Sequence, residues 1–76
     1  MSKLADLKKG ETGTVARIDA TGPLRRRIIE MGLTVGTEVS MLGVAPMGDP
    51  MELSLRGYRL SLRKEEALLI QMEVKS

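Results

Sequence analysis

Three consecutive arginines, Arg25, Arg26 and Arg27, are the residues best placed to meet a charged partner. A run of exposed charges is usually a solvated helix face that contributes little to stability, and we take this as the default interpretation. The functional alternative is a docking patch for an acidic protein surface, where positive charge raises the rate of association. The sequence therefore offers a candidate binding surface but no reaction.

The arginines lie in a segment with helical periodicity, in which apolar residues at i, i+4 and i+7 form one stripe: Leu24, Ile28 and Met31. Arg27 borders this stripe, because it is three positions after Leu24 and four before Met31. Arg25 and Arg26 point more towards water. Arg26 also precedes Glu30 by one turn, which predicts a weak ion pair of about 0.2–0.5 kcal/mol.

The sequence contains few side chains that are suited to catalysis or to metal binding. The 76 residues contain no cysteine and no histidine, which removes the commonest general base and the usual ligands of a tight Fe(II) site. The carboxylates are scattered, and the one adjacent pair, Glu65-Glu66, does not converge on a single ion when it lies on a helical turn. We expect no enzyme activity, no metal site and no cofactor, with weak divalent metal binding at the surface as the remaining alternative.

The segment Pro46–Pro50 is the second candidate site. Gly, Asp and Pro all have turn-forming reasons to be there, so we favour a hairpin loop. The alternative is an adaptable exposed patch built on Met47 and Met51, since methionine is flexible and polarisable. A cleft lined by Leu24, Met31, Leu33 and Met41 is a third candidate, for a peptide, although core packing is the better interpretation for most of these residues.

Composition sets further limits. The formal net charge is +2, from 12 basic and 10 acidic residues, and Tyr58 is the sole aromatic. A protein that tracks phosphates usually shows a larger, clustered basic excess, and several aromatics are needed for a base-stacking platform. No apolar run approaches the roughly 20 residues that cross a bilayer, and the N-terminal residues lack the apolar core of a signal peptide. We expect a cytoplasmic protein.

The pattern of elements predicts one mainly β domain over residues 1–76. Alternating apolar residues and turn signals predict five short strands, at about Thr12–Asp19, Thr37–Ala45, Met51–Arg56, Tyr58–Leu62 and Leu68–Val74. Leu4–Leu7 and Arg63–Ala67 read as single helical turns. Short strands with one mid-chain helix favour a small barrel.

The mid-chain helix has the strongest end signals. Thr21 can cap free amide groups, and Pro23 lies in the first turn, where it costs no hydrogen bond. Gly32 follows Met31 at the position where a left-handed residue ends a helix. Leu33 can then fold back onto the preceding turn, as in a Schellman motif.

These segments together resemble the FeoA-type family. The resemblance covers nearly the whole chain and rests on an ordered set of short motifs: Gly10 and Gly13 before Val15 and Ile18, the Arg25–Arg27 helix ending in Met31-Gly32-Leu33, Gly36 before Val39, Ala45–Pro50, Gly57, and Leu62-Arg63 before Ala67 and Ile70. It implies an SH3-like barrel with inserted helices. It also implies a role beside a bacterial membrane ferrous iron permease that carries a cytosolic GTP-binding domain.

Two functions follow from this resemblance. The first is a non-enzymatic regulatory subunit, recruited to the inner face of the membrane, that binds the permease and changes its gating, assembly or nucleotide turnover. A stronger form, in which one arginine reaches a bound nucleotide as an arginine finger, is disfavoured because the sequence cannot place the finger. The candidate partner-binding residues are Arg25, Arg26, Arg27, Met31, Leu33 and Met47.

The second function belongs to another class, a nucleic-acid-binding or repressor-associated module. The same kind of domain is found at the C-terminus of metal-dependent repressors, and Arg56, Arg59 and Arg63 could join the Arg25–Arg27 segment on phosphates. An SH3-like domain with some other protein partner is a third interpretation. We expect a monomer or a weak dimer, since small sheets have open edges.

Overall fold

The computed structural model describes residues 2–74, and its regular elements follow the sequence pattern closely. The strands are β1 (Ser2–Lys3), β2 (Thr12–Ile18), β3 (Glu38–Val44), β4 (Met51–Leu55), β5 (Tyr58–Leu62) and β6 (Ile70–Val74). The helices are α1 (Gly22–Glu30) and α2 (Lys64–Ala67), with a 3₁₀ turn at Leu4–Asp6.

All strands belong to one antiparallel sheet with the order β1-β6-β2-β3-β4-β5. The predicted mainly β class is confirmed, but there are six strands among residues 2–74 instead of five. The additional strand is β1, where Ser2 lies opposite Met72 and Lys3 opposite Gln71. Within these residues β1 and β5 do not pair with each other, so the sheet stays open and has two edges.

The β4–β5 hairpin closes through a two-residue turn. Arg56 and Gly57 have φ angles of 50° and 83°, as the turns that match the twist of a tight hairpin require at both central positions. The predicted break between the fourth and fifth strands is therefore present, but Arg56 is a turn residue and not the end of its strand. The Arg56 side chain donates to Thr34 Oγ1 and Thr37 Oγ1 at 3.2 and 3.1 Å, which ties the turn to the loop after α1.

The C-terminal end of α1 has the predicted Schellman geometry. Gly32 N–H donates to the Ile29 carbonyl at 2.9 Å and Leu33 N–H to the Ile28 carbonyl at 3.2 Å, with Gly32 at φ 102°. These two hydrogen bonds satisfy carbonyls that a helix end leaves open. The N-terminal prediction is half right, because Thr21 occupies the cap position but its side chain makes no capping hydrogen bond.

The last strand starts later than predicted. Leu68 and Leu69 still belong to the α2 turn, since their amides donate to the carbonyls of Lys64 and Glu66 at 3.0 and 3.1 Å. The helical hydrogen bonds of a short turn thus take precedence over the apolar run that reads as strand. The strand β6 begins only at Ile70.

The core lies between the inner face of the sheet and the helices. Its buried side chains are almost all aliphatic or methionine, as a chain without Phe and Trp requires. The largest fully buried side chains are Leu4, Val15, Ile28, Leu33, Val39, Met41, Leu53, Leu62, Ile70 and Met72. Glu66, at 4% exposure, is the exception among ionisable groups of the described chain.

Candidate functional site

The three arginines of α1 lie in three different environments. Arg25 donates from Nη1 to the Ile18 carbonyl at 2.9 Å, so it holds the helix against the end of β2. Arg27 forms an ion pair from Nη1 to Glu66 Oε2 at 2.9 Å. The Arg26 side chain makes no hydrogen bond or ion pair with any residue between 2 and 74. Of the predicted docking patch, only Arg26 is uncommitted.

The predicted ion pair between Arg26 and Glu30 is absent from the part of the chain that is described. Both residues instead border a shallow pocket of about 400 Å³ beside α1, together with Gly22, Arg25 and the partly exposed Ile29. An apolar side chain next to a free guanidinium is a suitable surface for a protein contact, because it offers both area and charge. The candidate surface on α1 is therefore Arg26 with Ile29.

Glu66, which the sequence predicts on a single helical turn, connects α1 to α2. Its Oε1 accepts from the Arg63 N–H at 3.1 Å, and its Oε2 accepts from Arg27. The side chain of Glu66 is 5% exposed, whereas that of Arg27 is 63% exposed. A buried carboxylate needs such partners, because its desolvation is costly. The role of Arg27 is thus at least partly structural.

We expect Arg27→Ala to lower the free energy of unfolding by about 1–2 kcal/mol, because it leaves the buried Glu66 carboxylate without its counter-ion. The cost stays below that of breaking a fully buried pair, since water reaches Arg27. Arg26→Ala, one position earlier on the same helix, is the matched control and should change stability by less than about 0.5 kcal/mol. Urea denaturation followed by circular dichroism measures both. Equal stability of the two variants would show that the Arg27–Glu66 pair contributes nothing.

Two apolar candidates of the predicted partner surface lie differently from expectation. Leu33 is fully buried at 0% exposure, so it belongs to the core and is not available to a partner. Leu33 does not belong to the partner surface, because the Schellman turn directs its side chain inward. Met31 is half-buried against the core, and its carbonyl accepts a hydrogen bond from the Tyr58 hydroxyl. The proposed cleft of Leu24, Met31, Leu33 and Met41 is accordingly core packing, with Leu24 and Met31 at its border.

The loop between β3 and β4 is anchored at one end and exposed at its tip. Asp49 Oδ1 accepts from the Lys64 N–H at 3.0 Å, which fastens the loop to the start of α2. Gly48 N–H donates to the Ala45 carbonyl at 2.7 Å and closes the turn. Met47 stands at the tip with 92% exposure, while Met51 is buried at 4%. The hairpin role is confirmed, and only Met47 of the two methionines remains a surface candidate.

The structure brings Arg27 of α1 close to Asp49 and Pro50 of the β3–β4 loop. Arg27 and Glu66 line a polar cleft of about 290 Å³ with Asp49, Pro50, Ser61 and Arg63. The cleft contains two arginines and two carboxylates, and three of these four groups already have partners in the fold. Arg25 and Arg26 border the separate pocket on α1. The cleft is therefore a structural junction of the loop, α1 and α2.

Between residues 2 and 74 no group of three or more carboxylates comes close enough to hold a metal ion. The carboxylate of Asp19 accepts from Arg17 Nε at 2.7 Å and from Gln71 Nε2 at 2.9 Å. The hydrogen bond from Arg17, as the larger cause, and the hydrogen bond from Gln71 hold the pKa of Asp19 below its ordinary value. The carboxylate is thus engaged by neighbouring side chains.

One surface feature was missed by sequence reasoning, a groove of about 560 Å³ at the β3–β4 hairpin. It is lined by Leu42, Gly43, Val44, Ala45, Pro50, Glu52 and Arg59. The available signal was Gly43 inside a run that otherwise reads as strand, since a glycine there often marks a bulge or a close approach. A bulge is present, with the register shifting between Met41 and Gly43.

None of the helices described is long and apolar enough to cross a membrane.

Comparison with known proteins places the chain. The FeoA domain model matches residues 2–74. An Fe(2+) transport protein A/Fe(2+) transporter FeoB fusion protein from Porphyromonas gingivalis is 34% identical over 72 residues, which are 95% of this chain and 8% of that protein. The chain thus spans less than a tenth of this curated relative.

Solved structures agree in fold. A FeoA-like protein from Clostridium acetobutylicum is 44% identical, with a TM-score of 0.89 over 100% of this chain and 92% of that one. FeoA from Stenotrophomonas maltophilia, solved with zinc and described as a procaryotic SH3 domain protein, is 26% identical, with a TM-score of 0.82 over 96% and 91% of the two chains. The expected SH3-like class is therefore confirmed. With the family model matched over residues 2–74, the chain belongs to the FeoA domain family.

Proposed function

We propose that this chain is a cytosolic accessory protein of bacterial ferrous iron uptake, which docks on the iron permease through protein–protein contacts. The observation that carries the proposal is the Porphyromonas gingivalis relative, whose name joins Fe(2+) transport protein A to the Fe(2+) transporter FeoB in one polypeptide. Joining two modules keeps each at an effective concentration of about millimolar when the linker is short and flexible. Fusion therefore favours modules that act on each other through a contact too weak to persist alone.

The surface chemistry of the chain suits a regulatory contact better than a reaction. Without cysteine or histidine, the described carboxylates are the main groups for proton transfer near neutral pH, and the most buried one, Glu66, is already held by Arg27 and by the backbone N–H of Arg63. The free Arg26 beside Ile29 offers a positively charged contact instead. We propose that it steers the chain towards an acidic patch of the partner, where charge raises the association rate.

The nucleic-acid alternative gains no support from the positions of the arginines. Arg25 and Arg56 donate to oxygen atoms of the fold, and Arg27 pairs with Glu66. A phosphate at these three arginines would have to compete with these contacts. The side chains of Arg26 and Arg59 have no such partner within residues 2–74, but they line different pockets. We therefore keep the permease as the partner and treat nucleic acid as a control ligand.

The test is an amide NMR titration of the labelled chain with the soluble GTP-binding domain of the permease. We expect shifts of selected amides on binding, and we expect Arg26→Glu to slow association several-fold at low salt, because the steering charge is reversed. Lys9→Glu makes the same change in net charge on an exposed residue of the turn before β2 and is the matched control.

Three results would contradict the proposal. Absence of amide shifts at high partner concentration would contradict docking on this domain. Salt-dependent shifts with duplex DNA would favour the nucleic-acid alternative. Shifts with Fe(II) alone, spread over one cluster of carboxylates, would instead indicate a metal-binding role.

A further inference from the structure

Gly43 is the one glycine of this chain for which the fold supplies no reason. Six of the eight glycines have a positive φ angle, which favours glycine: Gly10, Gly22, Gly32, Gly36, Gly48 and Gly57. At Gly13 a glycine is required because the neighbouring strand lies too close for a side chain: a Cβ there would lie 2.9 Å from the Glu73 carbonyl oxygen. Gly43 has neither feature, and a Cβ at this position would meet nothing within 4 Å.

A glycine inside a strand weakens that strand, because it has no side chain to pack and loses the most backbone freedom. The bulge next to Gly43 inserts an extra residue into β3, where Met41 pairs with Leu53 and Gly43 with Glu52. Because Gly43 is not in the left-handed region, this bulge does not require glycine. The missing side chain is therefore explained better by something that must approach the strand from outside.

The space left above Gly43 is the groove of about 560 Å³ at the hairpin. Its apolar lining comes from Leu42, Val44, Ala45 and Pro50, and Val44 is 51% exposed. The lining also includes two opposite charges, Glu52 and Arg59. Neither side chain makes a hydrogen bond or ion pair within residues 2–74. The groove thus combines apolar area with one free acid and one free base.

The backbone beside the groove is open as well. Pairing of β2 with β3 ends where Thr12 lies opposite Ser40. The preceding loop extends it to Met41, whose carbonyl accepts from Gly10 N–H at 2.8 Å and whose N–H donates to the Glu11 carbonyl at 2.9 Å. Beyond that point, residues 42–44 have no backbone partner on this side in the described chain. An open strand edge is a template for pairing with another segment.

We propose that this edge and the groove over Gly43 bind an extended segment of the permease's cytosolic part, which adds as a short strand beside Leu42–Val44. In such strand addition the main chain supplies affinity and pockets for alternate side chains supply specificity. One apolar side chain of the segment occupies the groove, and its charged neighbours meet Glu52 and Arg59. Met47, exposed at the tip of the same hairpin, supplies an adaptable apolar contact. This inference rests on the proposed function and names the contact that it uses.

The test is Gly43→Val. Valine suits a strand and its side chain points into empty space, so the melting temperature should be unchanged or raised by a few degrees. The same side chain fills the groove, and we expect binding of the permease's GTP-binding domain to weaken by about tenfold or more, which corresponds to about 1.4 kcal/mol. Thr14→Val, on β2 and outside the groove, is the matched control and should bind as the unchanged chain does. If Gly43→Val folds poorly, Gly43→Ala serves in its place.

The outcomes separate the two proposals. Equal binding by Gly43→Val and the unchanged chain overturns the groove contact and leaves the proposed function standing. Binding by neither overturns the proposed function and the groove contact with it. Weakened binding together with amide shifts at residues 42–45 and 52 supports both. A concentration-dependent dimer that Gly43→Val abolishes, with permease binding intact, would assign the groove to a second copy of this chain instead.

Discussion

Replacing Leu33 by alanine is expected to lower the free energy of unfolding by about 3 kcal/mol. Leu33 is 0% exposed and lies in the core cluster with Ile28 and Leu55. The substitution removes buried methyl and methylene groups and leaves a cavity that the surrounding side chains fill only in part. A chain of this size is stabilised by roughly 0.05–0.15 kcal/mol per residue, so the loss is a large share of the total.

Thermal denaturation followed by circular dichroism measures this effect. For a domain of this size each kcal/mol shifts the melting temperature by about 4–8 °C. Val35→Ala is the matched control, because Val35 is two residues away and 62% exposed, and it should change stability by less than about 0.5 kcal/mol. A Leu33→Ala variant with unchanged stability and weakened permease binding would restore Leu33 to the partner surface.

The case of Leu33 shows what local sequence signals can and cannot predict. The Met31-Gly32-Leu33 segment predicted the Schellman end of α1 correctly, because the hydrogen bonds that define it join residues at most five positions apart. The same segment could not show that Leu33 is completely enclosed. Its enclosure depends on strands that come later in the chain, and their position is not encoded in a helical stripe.

Long-range contacts explain most of the other differences. The strand β1 has only two residues, and its partner is β6 at the other end of the chain, so no alternation could reveal it. The pairing of Arg27 with Glu66 joins residues 39 positions apart. Glu66 was predicted only to lie on a short helical turn, because the sequence does not show that α2 packs with this carboxylate turned inward, where it needs a counter-ion.

The groove at the hairpin was missed for a different reason. Its existence depends on the bulge between Met41 and Gly43, which shifts the register and changes which residues share a face. A strict alternation across residues 37–45 cannot include such an extra residue. Gly43 itself was visible in the sequence. Its importance appears only in the structure, where each of the seven other glycines has a conformational or steric reason and Gly43 has none.

Gly32→Ala is expected to lower the free energy of unfolding by about 2–3 kcal/mol, from two separate causes. The φ angle of 102° lies in the left-handed half of conformational space, where a Cβ costs about 1–2 kcal/mol. In addition, an alanine Cβ would collide with the Tyr58 hydroxyl, which donates to the Met31 carbonyl. The methyl group must displace Tyr58 and break that hydrogen bond, which contributes about 1 kcal/mol.

The two causes can be separated within this chain. Gly36 has a similar φ of 93°, but a Cβ there would meet nothing within 4 Å. Gly36→Ala therefore measures the backbone cost alone, and its difference from Gly32→Ala in urea denaturation gives the cost of the collision. Tyr58→Phe should reduce this difference, because it removes the oxygen atom that the new methyl group meets. If both glycine variants lose the same stability, the contact between Tyr58 and the end of α1 is not tight, and the helix end is held by its own hydrogen bonds.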